Sequence, residues 1–213
     1  MSTRVSRSLR EGWRVVRSGG SVAAPVDLPE DGLEAEVPGC VHLDLIRHGL
    51  LIDPDQGDGE TAQLWVGRTD WTWRRVMSEL DLPANLDSHA VVELVFDALD
   101  TVGEVRLDGA LLGEVRNQFH PHRYRVEAAT IRRGCVLEVE LRAPLDELDR
   151  LVDRLGNRPV NADGDWGVYS YLRKASCSFG WDWGPKCPSS GILGEARIEV
   201  WKAARIEHVR PLV

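Results

Sequence analysis

The residues best suited to chemistry stand in the run Phe179-Gly180-Trp181-Asp182-Trp183-Gly184-Pro185, preceded by Arg173-Lys174. An aspartate between two tryptophans fits a sugar ring. The apolar C–H faces of a pyranose pack on aromatic planes, and its hydroxyls donate hydrogen bonds to a carboxylate. In a strand, Trp181 and Trp183 would share one face while Asp182 points to the other. In a turn, which Gly180 and Gly184-Pro185 favour, the three converge. The same spacing serves equally for tryptophans that anchor a core around an aspartate bonded to local backbone amides.

Other chemistries have less behind them. Glycoside hydrolysis needs two carboxyl groups held about 5 to 9 Å apart, and Asp163 with Asp165 or Asp97 with Asp100 are neighbours in sequence. In a chain with 34 acidic side chains such neighbours are common, so they read as solvated loop residues and no catalytic pair is assigned. Cys40-x-His42 and His120-x-His122 offer two metal ligands each, whereas a zinc site needs three or four. No metal and no cofactor are expected. A G-x-S-x-G elbow and a phosphate-binding glycine motif are both missing.

Net charge bounds the partners. The 213 residues carry a formal charge of −8, and phosphate contacts demand clustered Lys and Arg, so no nucleic-acid partner is expected. The charge is uneven, with 18 basic and 28 acidic side chains in residues 1–156 against 8 and 6 in 157–213. No apolar run is long enough for a membrane span or a leader. Four scattered cysteines (Cys40, Cys135, Cys177 and Cys187) form no C-x-x-C. They read as free thiols of a cytoplasmic protein.

The elements that must position these residues are mostly strands. Apolar residues alternate over Trp71 to Leu80, over His89 to Phe96 (Val92, Leu94, Phe96) and over Cys135 to Leu141, giving each strand an inward and an outward face. Asp108-Gly109, between Val105-x-Leu107 and Leu111, is a hairpin signal of the type I′ kind. Two short helices are expected. One follows Pro38-Gly39, pairs Val41 with Leu45 and stops at Gly49; the other opens at Pro144, lines up Leu145, Leu148, Leu151, Val152 and Leu155, and ends at Gly156. The fold class is therefore all-β, a β-sandwich or jelly roll with covering helices. Two polar stretches, Asp53 to Gly59 and Asn157 to Gly167, read as solvated loops, with a site border the alternative for the second.

Four segments then resemble one family in the right order. They are Val37-Pro38-Gly39-Cys40-Val41-His42-Leu43-Asp44-Leu45, Trp65-Val66-Gly67-Arg68-Thr69-Asp70-Trp71-Thr72-Trp73-Arg74-Arg75, Phe96-Asp97-Ala98-Leu99-Asp100-Thr101-Val102, and Arg173 through Pro185. Together they resemble the amino-terminal region of β-mannosidases of glycoside hydrolase family 2. The resemblance implies a jelly-roll domain similar to galactose-binding domains over 1–203, with 204–213 opening an immunoglobulin-like domain. It also implies retaining exo-hydrolysis of terminal β-mannose in the complete enzyme. The catalytic glutamates of the family lie on a (β/α)₈ barrel of about 250 residues, so no catalytic residue is assigned within this chain and the chain alone is expected to be inactive. Trp181 and Asp182 match residues that reach into the mannose subsite, Asp182 accepting from sugar hydroxyls and Trp181 forming an apolar wall, with Trp183 packed beneath. The implied partners are a β-mannoside and the barrel and immunoglobulin-like domains. Leu193-Gly194 stand where the family usually has tryptophan, and Trp73 where tyrosine is common. The alternative is a free-standing carbohydrate-binding module of the same fold.

Overall fold

The computed structural model describes residues 4–87, 89–158, 168–182, 184–202, 205–206 and 209–211. Its strands are β1 (Val5–Ser8), β2 (Trp13–Gly20), β3 (Leu33–Ala35), β4 (Gly39–Cys40), β5 (Thr69–Met77), β6 (Val91–Phe96), β7 (Leu99–Asp100), β8 (Gly103–Leu107), β9 (Ala110–Val115), β10 (His122–Val126), β11 (Cys135–Leu141), β12 (Gly191–Ile192) and β13 (Ala196–Trp201). They form a four-stranded sheet in the order β1-β13-β6-β10, a six-stranded sheet β3-β2-β5-β11-β8-β9 and a small sheet β4-β12-β7. The pairings within these sheets are antiparallel. This is the expected jelly-roll sandwich.

The core lies between the two larger sheets. Val92, Leu94 and Phe96 of β6 and Ala196, Ile198 and Val200 of β13 share one buried cluster with Trp13, Val15, Trp71, Trp73, Leu137 and Val139 of the facing sheet. Period-two alternation puts each set on one face of its strand. The predicted hairpin is present: β8 and β9 are joined by Asp108 at φ 52° and Gly109 at φ 79°, the two positive angles that a type I′ turn needs.

Three details differ from the sequence reading. The β5 run ends at Met77 rather than Leu80, because Ser78 opens a short 3-10 turn (Glu79–Asp81). Its hydroxyl accepts from the Leu80 amide, and the Asp81 carboxylate accepts from the Ser78 amide at 2.8 Å. This reciprocal cap satisfies amides that would otherwise lack partners. Strand β6 is buried on both faces, Glu93 and Val95 included. The outward carboxylate of Glu93 is covered because it accepts from Arg205 at 2.5 Å, Arg123 at 3.2 Å and the Trp201 indole at 3.3 Å. Strand β1 carries no apolar pattern and all four of its residues are exposed. An edge strand needs only backbone pairing, which it finds on β13, and buried Leu9 fixes its end by donating to the Ala196 carbonyl at 2.8 Å.

Among the described residues four α-helices cover the sandwich: α1 (Val41–Arg47), α2 (Gly59–Ala62), α3 (Ala128–Arg132) and α4 (Pro144–Leu155). The first and last lie where the spacing places them. Pro144 occupies the first turn of α4, and Gly156 leaves it at φ 80°. The two single-turn helices are too short to show a periodic stripe. Near the start of α4, Asp70 accepts from the Ala143 amide at 2.7 Å, and Asp146 accepts from the Ser21 amide and hydroxyl at 3.0 and 2.7 Å and from Arg68 at 3.0 Å. The helix is thereby tied to β5 and the end of β2.

Candidate functional site

Beside α4 a second, smaller core forms from Leu145, Leu148, Leu172 and Phe179. The Phe179 ring stacks on Tyr169 with centroids 5.2 Å apart and planes at 19°. The Tyr171 hydroxyl donates to the Gly156 carbonyl at 2.8 Å. This apolar foot holds the segment that runs from Val168 to Ser190.

At Phe179 the chain leaves its foot. Gly180 has φ 90° and ψ 160°, a conformation open essentially to glycine alone. A Cβ there would also stand 2.5 Å from Cγ of Lys186. The backbone then closes a tight turn: the Trp181 amide donates to the Gly184 carbonyl at 3.2 Å, and the Gly184 amide to the Trp181 carbonyl at 3.3 Å. Trp181 is 49% exposed while Phe179 is 3% exposed. Asp182, at the tip, is exposed. Among the described residues no donor meets its carboxylate.

The structure therefore chooses the turn over the strand. It makes Phe179, not Trp181, the anchor of this segment. Trp183 lies outside the described residues, as do Asp163 and Asp165. Asp97 and Asp100 are both engaged elsewhere: Asp97 pairs with Arg197 at 2.7 Å, and Asp100 is buried against the ammonium of Lys174.

The loop returns to the sandwich through polar anchors. Lys174, whose side chain is fully buried, donates to the Asp100 carboxylate and, at 2.8 Å, to the Ser189 carbonyl. The Ala175 amide donates to the Gln118 side chain at 2.8 Å, and the Lys186 amide to Glu60 at 3.3 Å. The Gln63 amide group reaches the Lys186 carbonyl at 3.4 Å and the Cys187 sulfur at 3.0 Å. Gly67 lets Pro188 pack closely, since a Cβ at Gly67 would stand 2.5 Å from the proline ring. In the sequence Arg173-Lys174 stands only as a prefix to the tryptophan run. The partners of Lys174 lie 74 and 15 residues away and carry no local signal.

His42 of α1 sits in the same buried region. Neither ring nitrogen meets a partner among the described residues. Burial, and then the positive charge of Lys174, push its pKa down to about 4. Cys40 and Cys187 have thiols pushed up by burial, which removes the thiolate character that a nucleophile needs. Among the described residues no group of three His, Cys, Asp or Glu side chains is placed to hold a metal ion. His122 instead stacks on Tyr124 and meets the Asn117 carbonyl at 3.3 Å.

A cavity of about 410 Å³ opens next to the loop's start, lined by Asn117, Phe119, His120, Ser170, Leu172 and Arg173 among others. Neither Trp181 nor Asp182 is among its described lining residues.

The turn projects a half-exposed tryptophan and an exposed carboxylate from the rim of a jelly roll, and residues 13–194 match the family described as glycosyl hydrolase 2 galactose-binding domain-like. The chain belongs to that family. The β-mannosidase of Mus musculus is 31% identical over 212 residues, covering 96% of this chain and 22% of that protein. Beta-mannosidase B of Emericella nidulans is 35% identical over 198 residues, covering 92% and 22%. The crystal structure of the beta-D-mannosidase from Dictyoglomus thermophilum superposes with a TM-score of 0.78 at 30% identity, over 98% of this chain and 24% of that one. This glycosyl hydrolase 2 domain thus spans less than a quarter of the length of these relatives. The β-glucuronidase of Bifidobacterium dentium shares the fold, with a TM-score of 0.55 at 19% identity. None of the helices among the described residues is long and apolar enough to cross a membrane.

Proposed function

We propose that this domain is the amino-terminal part of a β-mannosidase and supplies Trp181 and Asp182 to the subsite that holds the terminal mannose. The observation that carries this reading is the turn itself. A foot at Phe179 and a glycine at 180 lift one aromatic face and one exposed carboxylate clear of the sandwich. The carboxylate accepts from sugar hydroxyls, and the indole covers the apolar face of the ring.

Cleavage of the glycosidic bond, with retention of configuration, falls to a pair of glutamates on a barrel domain. An immunoglobulin-like domain beginning near residue 204 leads to that barrel. The length of the matched β-mannosidases, more than four times that of this chain, supports this organisation. Its free cysteines support a reducing, cytoplasmic setting.

The test compares the longer protein with its Asp182→Ala variant on an aryl β-mannoside. Losing a hydrogen bond from substrate to a charged group lowers kcat/KM by about 10- to 150-fold. An unchanged kcat/KM refutes the assignment. A second reading, a carbohydrate-binding module that works alone, draws on the cavity beside exposed Phe119. Titrating the 213-residue chain with mannosides while following tryptophan fluorescence separates the two, because a module binds by itself and half a subsite does not.

A further inference from the structure

The buried Lys174–Asp100 pair has no role in the reading above, yet it lies where the loop that carries the turn both leaves and rejoins the sandwich. We propose that Lys174 is a positioning residue: its ammonium closes the 175–188 loop on the Asp100 carboxylate and so sets the location of Trp181 and Asp182. This inference rests on the subsite reading for its consequence in catalysis, but not for its structural content.

Three observations support it. The ammonium spans the loop's closure. Lys174 itself is the residue before the loop, the Ser189 carbonyl at 2.8 Å is the residue after it, and Asp100 is the fixed point between them. The fixed point belongs to the sheet, for Asp100 ends β7 and pairs with Gly191 of β12, two residues beyond Ser189. Its carboxylate is also fully engaged, Oδ2 by Lys174 and Oδ1 by the Thr101 hydroxyl. Finally, both side chains are buried, at 0% and 1% exposure. A buried ion pair is a poor source of net stability, since desolvation consumes most of the attraction. What it does supply is geometry. An ammonium has three donors and can bridge a carboxylate and a carbonyl at once. An apolar side chain in its place could fill the space without joining the loop's two ends.

The experiment uses the longer protein and the double variant Lys174→Met/Asp100→Leu, which removes both buried charges together and avoids stranding one. Hydrogen exchange reads the loop directly at the amides of Ser178, Gly180, Trp181 and Gly184, each bonded within the loop. Expected are exchange at these four amides at least tenfold faster, unchanged exchange in β5 and β11, and a rise in KM for an aryl β-mannoside. Because Lys174 acts through the turn, adding Asp182→Ala to the double variant costs little beyond what the double variant already lost. Unchanged exchange at the four amides overturns the proposal, as does full additivity of Asp182→Ala with the double variant. If Asp182→Ala alone leaves turnover intact, the subsite reading fails while the exchange result still judges the clamp.

Should the double variant not fold, native-state exchange of the unmodified protein decides. The four loop amides should open together with those of Gly191 and Ile192 as denaturant rises. Opening at a clearly lower denaturant concentration overturns the clamp.

Discussion

Phe179 and Trp181 are two residues apart and face opposite environments, the first ring 3% exposed on its foot against Tyr169 and the second 49% exposed on the turn. The reversal takes place at Gly180, whose φ of 90° no side chain tolerates well. Everything asked of Trp181 and Asp182 follows from that handover.

Gly180→Ala should therefore disturb the turn out of proportion to one methyl group. Backbone in this region costs a residue with a side chain about 1–3 kcal/mol, and the added Cβ would also press on Lys186. Thermal unfolding should show the loss, and the fluorescence of Trp181 should shift with it. A variant with unaltered midpoint and emission contradicts this account.

Substituting the exposed pair should behave in the opposite way. Asp182→Ala removes an exposed side chain, so it should change stability by no more than about 0.5 kcal/mol. Trp181, 49% exposed, is half covered, and Trp181→Ala should cost more than that but less than the about 3–5 kcal/mol of truncating a core aromatic. A denaturation midpoint that drops as far as that of a core variant shows the residues to be structural.

Leu148→Ala tests the foot. Leu148 is 2% exposed within the small cluster that includes Phe179, and truncating a buried leucine costs about 2–5 kcal/mol. Exchange at the loop amides should accelerate more than exchange in β6 and β13, because the main core does not include this residue.

Stability against pH combines three groups. His42 is lowered to about 4 by burial and Lys174, whereas the unfolded chain titrates near 6.5. The unfolded state then takes up the proton first, and the stability present above pH 6.5 is lost as pH falls towards 4. Asp44 is raised to about 6 by burial, against the lowering effect of the Glu36 amide and Arg47. There the folded state binds the proton first, so stability grows as pH falls from 6 to 3.8. For Glu199 burial works upward, but hydrogen bonds from Arg123, Arg197 and Arg4 outweigh it and hold the group at about 2, so its contribution is lost between pH 4.5 and 2. The first two oppose each other. The urea midpoint should stay nearly level from pH 6 to 4.5 and fall steeply below that. His42→Leu should convert the level stretch into a rise of up to about 2 kcal/mol as pH falls from 6 to 4.5, where Asp44 acts alone. A His42→Leu curve parallel to the unmodified one argues against this assignment.

Much of the sandwich is legible along the chain because its causes are local. The alternation in Cys135 to Leu141 follows from the pleat, the Asp108-Gly109 turn from its positive φ angles, and the limits of α4 from Pro144 and Gly156. Strand β1 was not legible, since pairing alone makes it a strand. Nor was the burial of Glu93, which depends on guanidinium groups brought in from β10 and from beyond β13.

At the site the division is the same. The sequence by itself determined that Trp181 and Asp182 lie between glycines in a segment able to turn, because glycine and proline act on their own neighbours. Only the tertiary structure decided that the chain does turn there, that Trp181 faces outward, and that Lys174 meets Asp100 across 74 positions. Those outcomes depend on which distant side chains share a buried space, and burial is a property of the packed whole.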